Sequence, residues 1–357
     1  MIYRMYGTTG EKVSVIGFGA MRFKDVDDQD GCVEMILEAA KGGINTFDTA
    51  PTYLGGKSEI VLGKGFRELK RLGLPFYCST KTFKADEKSI RTEIEAQLKR
   101  LDLESIDFYH VWCITTLEDW KGRKAKGIIK TFGKLKEEGL IRHICVSNHL
   151  IGDQIEVLLA EGVFEGVLFG YSAYNFEIRR PALEAITRKN LGCAIMNPLG
   201  GGIIPLHPGL FDFLKTRDSE TVVEAAIRFL IAHERISVIL VGFGNLEEVR
   251  EGLRAAEGFR PLSAETLERI KSQASGAMEG ICTGCRYCDH CPEGLPVPKL
   301  MEAYNYRLLY KDDGKVLDRL KWPWRRKRRR TAQNAGSARR AALNSWISSP
   351  GSSTSHR

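Results

Sequence analysis

Along the first 260 residues, short apolar runs alternate with longer amphipathic ones. The apolar runs are VSVIGFGAM (13–21), INTFDTA (44–50), PFYCSTK (75–81), SIDFYHVW (105–112), IRHICVSN (141–148), GVLFGYSAYN (166–175), LGCAIMNPL (191–199) and ISVILVGFG (236–244). Their length and composition predict strands. Between them, DEKSIRTEIEAQLKRLDL (86–103) repeats Ile90, Ile94, Leu98 and Leu101 at helical spacing, with charges on the other face. SETVVEAAIRFLIAHE (219–234) behaves the same way, with Ser219 as the expected N-cap.

Eight strand–helix units in about 250 residues predict an α/β fold, a (β/α)8 TIM barrel. A doubly wound sheet is the runner-up. Against it, no strand is followed by a GxGxxG turn with an acidic residue further along, and GFGAM and PLGGG have the wrong spacing. After the barrel, SAETLERIKSQASG (263–276) predicts a helix leading into the run CTGCRYCDHCPEG (282–294), and EGLPVPKLMEAYN (293–305) a turn and a short helix. Beyond Trp322 a run of arginines gives way to Ala, Ser, Gly and Asn without periodicity, which predicts disorder. The expected parts are a barrel over 1–260, a small cysteine-bearing module over 261–322 and a disordered basic tail over 323–357.

Composition adds limits. No run of about 18 apolar residues suggests a membrane-spanning helix, and the N-terminus lacks the layout of a signal peptide, so a cytoplasmic protein is expected. The net charge of +8 misleads: residues 321–357 hold ten Lys or Arg and no acid, and the rest balances 43 basic against 45 acidic residues. Any case for nucleic acid rests on that tail alone, and nucleic acid is the disfavoured partner.

The nine cysteines divide in two. Cys32, Cys78, Cys113, Cys145 and Cys193 stand singly in apolar surroundings, where a thiol serves as a small hydrophobe. Cys282, Cys285, Cys288 and Cys291 are spaced by two residues each, and Pro292 follows. Structural zinc usually takes two CxxC pairs separated by a loop. A compact run ending in Cys-Pro lies nearer the bacterial ferredoxin pattern, so an iron–sulfur cluster is favoured, with zinc as the alternative. Four bare thiols this close together would oxidise.

In a (β/α)8 barrel the active site lies at the C-terminal strand ends. The polar residues there are Asp48 and Tyr53 on the second, Lys81 on the third, His110 on the fourth, Ser147 and Asn148 on the fifth, Tyr174 and Asn175 on the sixth, and Asn197 on the seventh. Singly each has an ordinary structural role, as a loop hydrogen-bonder, a packing ring, a solvated cation or a core histidine. Together they suggest more. A Lys beside a Tyr lowers the phenol's pKa, an Asp holds the Lys, and the Tyr can then protonate a carbonyl oxygen as hydride reaches its carbon.

These residues carry a resemblance. GGINTFDTAPTY followed by GKSEIVLGK, then CSTK, VSN, AYN and NPLGGG, resemble in order the motifs of the aldo/keto reductases, over roughly residues 1–260. The resemblance implies a nicotinamide cofactor, NADP or NAD, and hydride transfer to a small aldehyde or ketone. It implies Tyr53 as general acid, Lys81 and Asp48 as its tuning pair, and Ser147 with Asn148 beside the nicotinamide carboxamide, with Tyr174 and Asn197 on the neighbouring cofactor-binding strand ends. The family's histidine comes five residues after an Asp, where this chain has Trp112. His110, on the same face of the strand and one pleat deeper, is the histidine candidate, and Trp112 becomes a candidate lining of the substrate pocket. In the last cofactor loop, GFGNLEEVREG, Gly242 is the expected contact, and Arg250 is the candidate for a cofactor phosphate because Gly244 stands where a basic residue is usual.

The cysteine run, down to the following LPVPKLMEAYN, resembles a branch of the same family with a C-terminal [4Fe–4S] ferredoxin-like module. The branch often has a second run about 40 residues later; here no cysteine follows Cys291. A shifted frame offers one account: dropping two nucleotides at residues 332–339 permits a Cys-Gly-Lys-Cys stretch. A native basic tail is the other. The expected protein is an NAD(P)H-dependent oxidoreductase with an iron–sulfur module, and an electron-carrier protein as a further candidate partner. An electron-transfer or interaction protein with a catalytically impaired barrel is the alternative.

Overall fold

The computed structural model describes residues 1–150, 152–277, 295–310 and 312–321. The chain divides into two units, Met1–Cys285 and Arg286–Arg357.

The first unit opens with a hairpin absent from the expected pattern. Strands β1 (Tyr3–Met5) and β2 (Lys12–Ser14) pair antiparallel, Arg4 opposite Val13. The first apolar run is thus shared between β2 and the first barrel strand. The barrel strands are β3 (Ile16–Gly19), β4 (Thr46–Asp48), β5 (Tyr77–Thr82), β6 (Ile106–Ile114), β7 (Ile141–Asn148), β8 (Gly166–Gly170), β9 (Gly192–Met196) and β10 (Val238–Gly242). All eight pair in parallel, and β10 returns to β3, with Ile239 opposite Ile16. That closure excludes the doubly wound sheet.

The helices bury one stripe each. Helix Glu87–Leu101 is capped by Asp86, whose side chain accepts the Ser89 amide, and it buries Ile90, Ile94, Gln97 and Leu101. Gln97 therefore takes the inward place expected for Leu98. Helix Val222–Ile231 starts two residues later than expected. Its N-cap is Thr221, in a capping box with Glu224; this bond pair satisfies two amides that Ser219 is too early to reach. Helix Ala264–Ala277, set outside the barrel in the sequence reading, belongs to the first unit, and Arg269 Nη1 donates to the carbonyl of Phe213 at 3.2 Å.

The N-terminal end of the barrel is filled by side chains. Tyr6 lies 4.3 Å from the Phe108 ring, centroid to centroid, in a cluster with Val13, Cys145, Leu168 and Val238. Gly166 and Gly192 open β8 and β9 under the Tyr6 ring, and a Cβ at either would collide with it. The open end is the other one.

In the second unit, helices Val297–Tyr310 and Asp313–Lys321 share an apolar cluster of Ala303, Val316 and Leu320, with Leu300 and Tyr306 against it. The first of these helices is longer than the short one expected. Cys282, Cys285, Cys288, Cys291 and the basic tail lie outside the described residues. Among the described residues, no helix is long and apolar enough to cross a membrane.

Candidate active site

Strand pairing fixes which side chains meet at the open end. Asp48 lies opposite Ser79, and Lys81 opposite His110. With a period of two, Ser79 and Lys81 share one face of β5. Lys81 Nζ donates to both oxygens of Asp48, at 2.8 and 2.7 Å. The pair is buried, with side chains 1% and 6% exposed. Ser79 Oγ donates to Asp48 Oδ1 at 2.7 Å and lies 3.0 Å from His110 Nε2.

Tyr53 is brought over this pair by the turn Tyr53–Gly56, where Leu54, Gly55 and Gly56 all have positive φ. The chain then enters helix Lys57–Arg71. Ser58 anchors the turn, donating to the carbonyl of Ala20 at 2.5 Å and sitting 2.7 Å from Thr49 Oγ1. The result sets Lys81 Nζ 5.3 Å from the centroid of the Tyr53 ring. Trp112 meets Tyr53 edge-on at 5.7 Å and stacks on Phe83 at 3.8 Å, which makes an aromatic wall beside the phenol.

The electrostatics differ from the sequence expectation at one point. Burial raises the Tyr53 pKa above its ordinary value; the Lys81 ammonium pulls it down but does not prevail, and Asp48 adds to the rise. A phenol in this site stays protonated at neutral pH. Lys81 is pulled down by burial, yet Asp48 and Tyr53 outweigh that and leave its pKa raised, so it keeps its charge. His110 is driven down to about 3, by burial first and by the Lys81 ammonium second. Its ring is neutral, 1% exposed, and engaged by Ser79. His110 thus reaches Asp48 through Ser79, at the level of Lys81 on the neighbouring strand.

The other predicted residues ring the same end. Ser147 and Asn148 close β7 and are buried. Asn148 Oδ1 accepts the Leu150 amide at 3.2 Å, while its Nδ2 is buried with no hydrogen-bond partner among the described residues. Such an amide costs free energy unless something fills the position. Asn197 follows β9 with φ +55°, and Tyr174 packs beside Gly200. Arg250 Nε donates to Glu38 Oε1 at 2.9 Å, in an exposed ion pair of the helical layer. At the last strand end the side-chain stem of Arg22 lies against Gly242 so closely that a Cβ there would collide with it.

Sequence reasoning missed Ser79 and Arg22. Ser79 carried a signal, standing two residues before Lys81 on the same strand face. Arg22 carried none, because its neighbourhood depends on β3 and β10 closing the barrel. Among the described residues, no three His, Cys, Asp or Glu side chains gather as a metal site.

Comparison with known proteins places this geometry. The Aldo/keto reductase family description matches residues 15–274. L-galactose dehydrogenase from Arabidopsis thaliana is 28% identical over 299 residues, 75% of this chain and 93% of that protein. NADH-specific methylglyoxal reductase from Escherichia coli is 26% identical over 228 residues, 56% of this chain and 67% of that protein. Among solved structures, the holo form of an aldo-keto reductase from Bacillus halodurans aligns with TM-score 0.66 at 23% identity, over 76% of this chain and 96% of that one. One from Klebsiella pneumoniae in complex with NADPH aligns with TM-score 0.63 at 20% identity, over 76% and 95%.

Proposed function

The chain belongs to the aldo/keto reductase family and is an NAD(P)H-dependent oxidoreductase, and from that premise we propose that it reduces small aldehydes or ketones at the Tyr53 end of the barrel. The observation that carries this is the buried Lys81–Asp48 pair set under the Tyr53 ring. The partnerless amide of Asn148 supports a nicotinamide there, since a carboxamide offers it an acceptor. Asn148 with Ser147 would hold the nicotinamide end, and Arg22 beside Gly242 would face the phosphates.

When bound, the reduced nicotinamide supplies a hydride to the carbonyl carbon. The chain's own part is the proton. Tyr53 Oη, kept protonated by burial, donates to the carbonyl oxygen. Lys81, charged because Asp48 engages it, then stabilises the phenolate that remains. Ser79 donates to Asp48 and is itself engaged by neutral His110. The aromatic wall of Trp112 and Phe83 gives the substrate an apolar side and keeps water from the phenol.

The test is oxidation of NADPH and of NADH with a panel of small aldehydes and ketones, comparing the native chain with Tyr53→Phe. Turnover by the native chain is expected to fall about 10²- to 10⁴-fold in the variant, with cofactor affinity unchanged. Cofactor binding without any turnover, indifferent to Tyr53, would overturn the reading and favour a barrel kept for electron transfer or docking.

The proposal extends to the cysteine run. Its spacing and the following Pro292 support a [4Fe–4S] cluster on Cys282, Cys285, Cys288 and Cys291, in a cytoplasmic setting and within reach of an electron-carrier protein. Anaerobically purified protein should absorb broadly in the visible and contain iron. Zinc in its place, with no visible absorption, would sink the cluster.

A further inference from the structure

Behind the candidate active site, on the face of β5 turned to the helices, lies a second polar cluster that the proton chemistry does not use. Glu59 is wholly buried. Its Oε1 accepts from Thr80 Oγ1 at 2.8 Å and from Gln97 Nε2 at 3.1 Å. Its Oε2 is held by Arg100, Nε at 2.8 Å and Nη2 at 2.6 Å. Gln97 Nε2 also donates to the backbone carbonyl of Lys81 at 3.0 Å, and Gln97 Oε1 accepts from Tyr109 Oη at 2.9 Å.

The placement is specific. The last residue pair between β4 and β5 is Asp48 with Ser79. The Lys81 peptide lies two residues beyond it, past the end of the β4 ladder. Gln97 supplies a donor there from outside the barrel. A hydrocarbon would pack at that place on helix Glu87–Leu101 at less cost, since a buried amide must have every bond met. Here each is met: Gln97 Nε2 also donates to Thr80 Oγ1 at 3.3 Å, so two of its bonds fall on consecutive residues of β5, Thr80 and Lys81.

We propose that Gln97, backed by Glu59, is a positioning residue for the proton-transfer site: it fixes the Lys81 peptide from the helix layer and so holds the Lys81 ammonium beneath Tyr53. The inference rests on the reductase reading above. It touches neither substrate nor cofactor. Its effect passes through one distance, that between Lys81 and the phenol. Lys81 is the group that pulls the Tyr53 pKa down against burial and Asp48. A Lys81 less well aimed leaves the phenol higher and the phenolate less stabilised.

The experiment compares the native chain with Gln97→Leu, using the best carbonyl compound of the panel. kcat should fall about ten- to a hundredfold, the range that a small misplacement of a reacting group brings. The dissociation constant of NADPH or NADH, read by fluorescence quenching, should stay within about twofold on the same reasoning. In the pH profile for reduction, the limb where the essential acid is lost should move to higher pH. A purely structural role predicts a lower melting temperature with the native pH profile and kcat per folded molecule, and that result would overturn the proposal. If Gln97→Leu does not fold, Thr80→Val carries the test, since it deletes one hydroxyl at nearly constant shape. An upward shift of the same limb supports the proposal, and an unmoved limb overturns it. Should the native chain reduce nothing on the panel, the reductase reading fails; turnover with unshifted variants fails this inference alone.

Discussion

Lys81 keeps a positive charge in the barrel interior because both oxygens of Asp48 meet it there. Neither ion of such a pair can be removed cheaply. Asp48→Asn leaves the ammonium without its countercharge, and the loss expected is about 3 kcal/mol of stability, measurable by urea unfolding. His110 makes a prediction of the opposite kind. Its pKa falls from 6.5 to about 3 in the folded chain, so below pH 6.5 the unfolded state binds the proton and the native state does not. This part of the stability is complete above pH 6.5 and drains away as pH falls toward 3. Unfolding free energies at pH 7, 5 and 4 should decline accordingly, and His110→Gln should flatten the slope. A steep decline that survives the substitution would mean that other groups cause it.

At the scale of elements, the helices do more than cover the barrel. Helix Lys57–Arg71 brings Glu59, and helix Glu87–Leu101 brings Gln97 and Arg100, to one point behind β5. The two helices approach closely enough that a Cβ at Gly63 would collide with the carbonyl oxygen of Arg100. Backbone on both sides leaves no flexible end to give way. Gly63→Ala is therefore expected to cost about 1–3 kcal/mol and, by parting the helices, to lower kcat as well; a variant as stable as the native chain would show that the helices can separate freely. The sequence placed helix 87–101 correctly but put Leu98 inward where Gln97 goes. Periodicity finds the buried face of a helix, and a glutamine at its edge looks like solvent-facing surface until its partners, all from other segments, are in place.

The whole barrel separates stability from chemistry along its axis. Tyr6 plugs the N-terminal end beneath β8 and β9, while the polar residues gather at the other. Tyr6→Ala should cost about 3–5 kcal/mol, the range for deleting a large buried ring, and leave cofactor affinity untouched. A comparable loss of affinity would show that the two ends are coupled. The hairpin that delivers Tyr6 was not legible, because β1 and β2 are three residues each, too short for alternation to register.

What the sequence determined by itself was the order of parts. Apolar runs separated by helical periods imply the barrel, and since all strands of such a barrel end at one mouth, Asp48, Tyr53, Lys81, Ser147 and Asn148 could be assigned to it before any contact was known. Strand period two also implied that His110 points inward with Trp112. The tertiary structure alone decided what these residues meet and how they ionise. It linked His110 to Asp48 through Ser79, gave Arg250 to Glu38 and Arg22 to Gly242, and raised the Tyr53 pKa where a neighbouring lysine suggested a fall. The reason is common to all of these: each depends on burial, or on two segments far apart in the chain closing to about 3 Å, and neither is a property of local sequence.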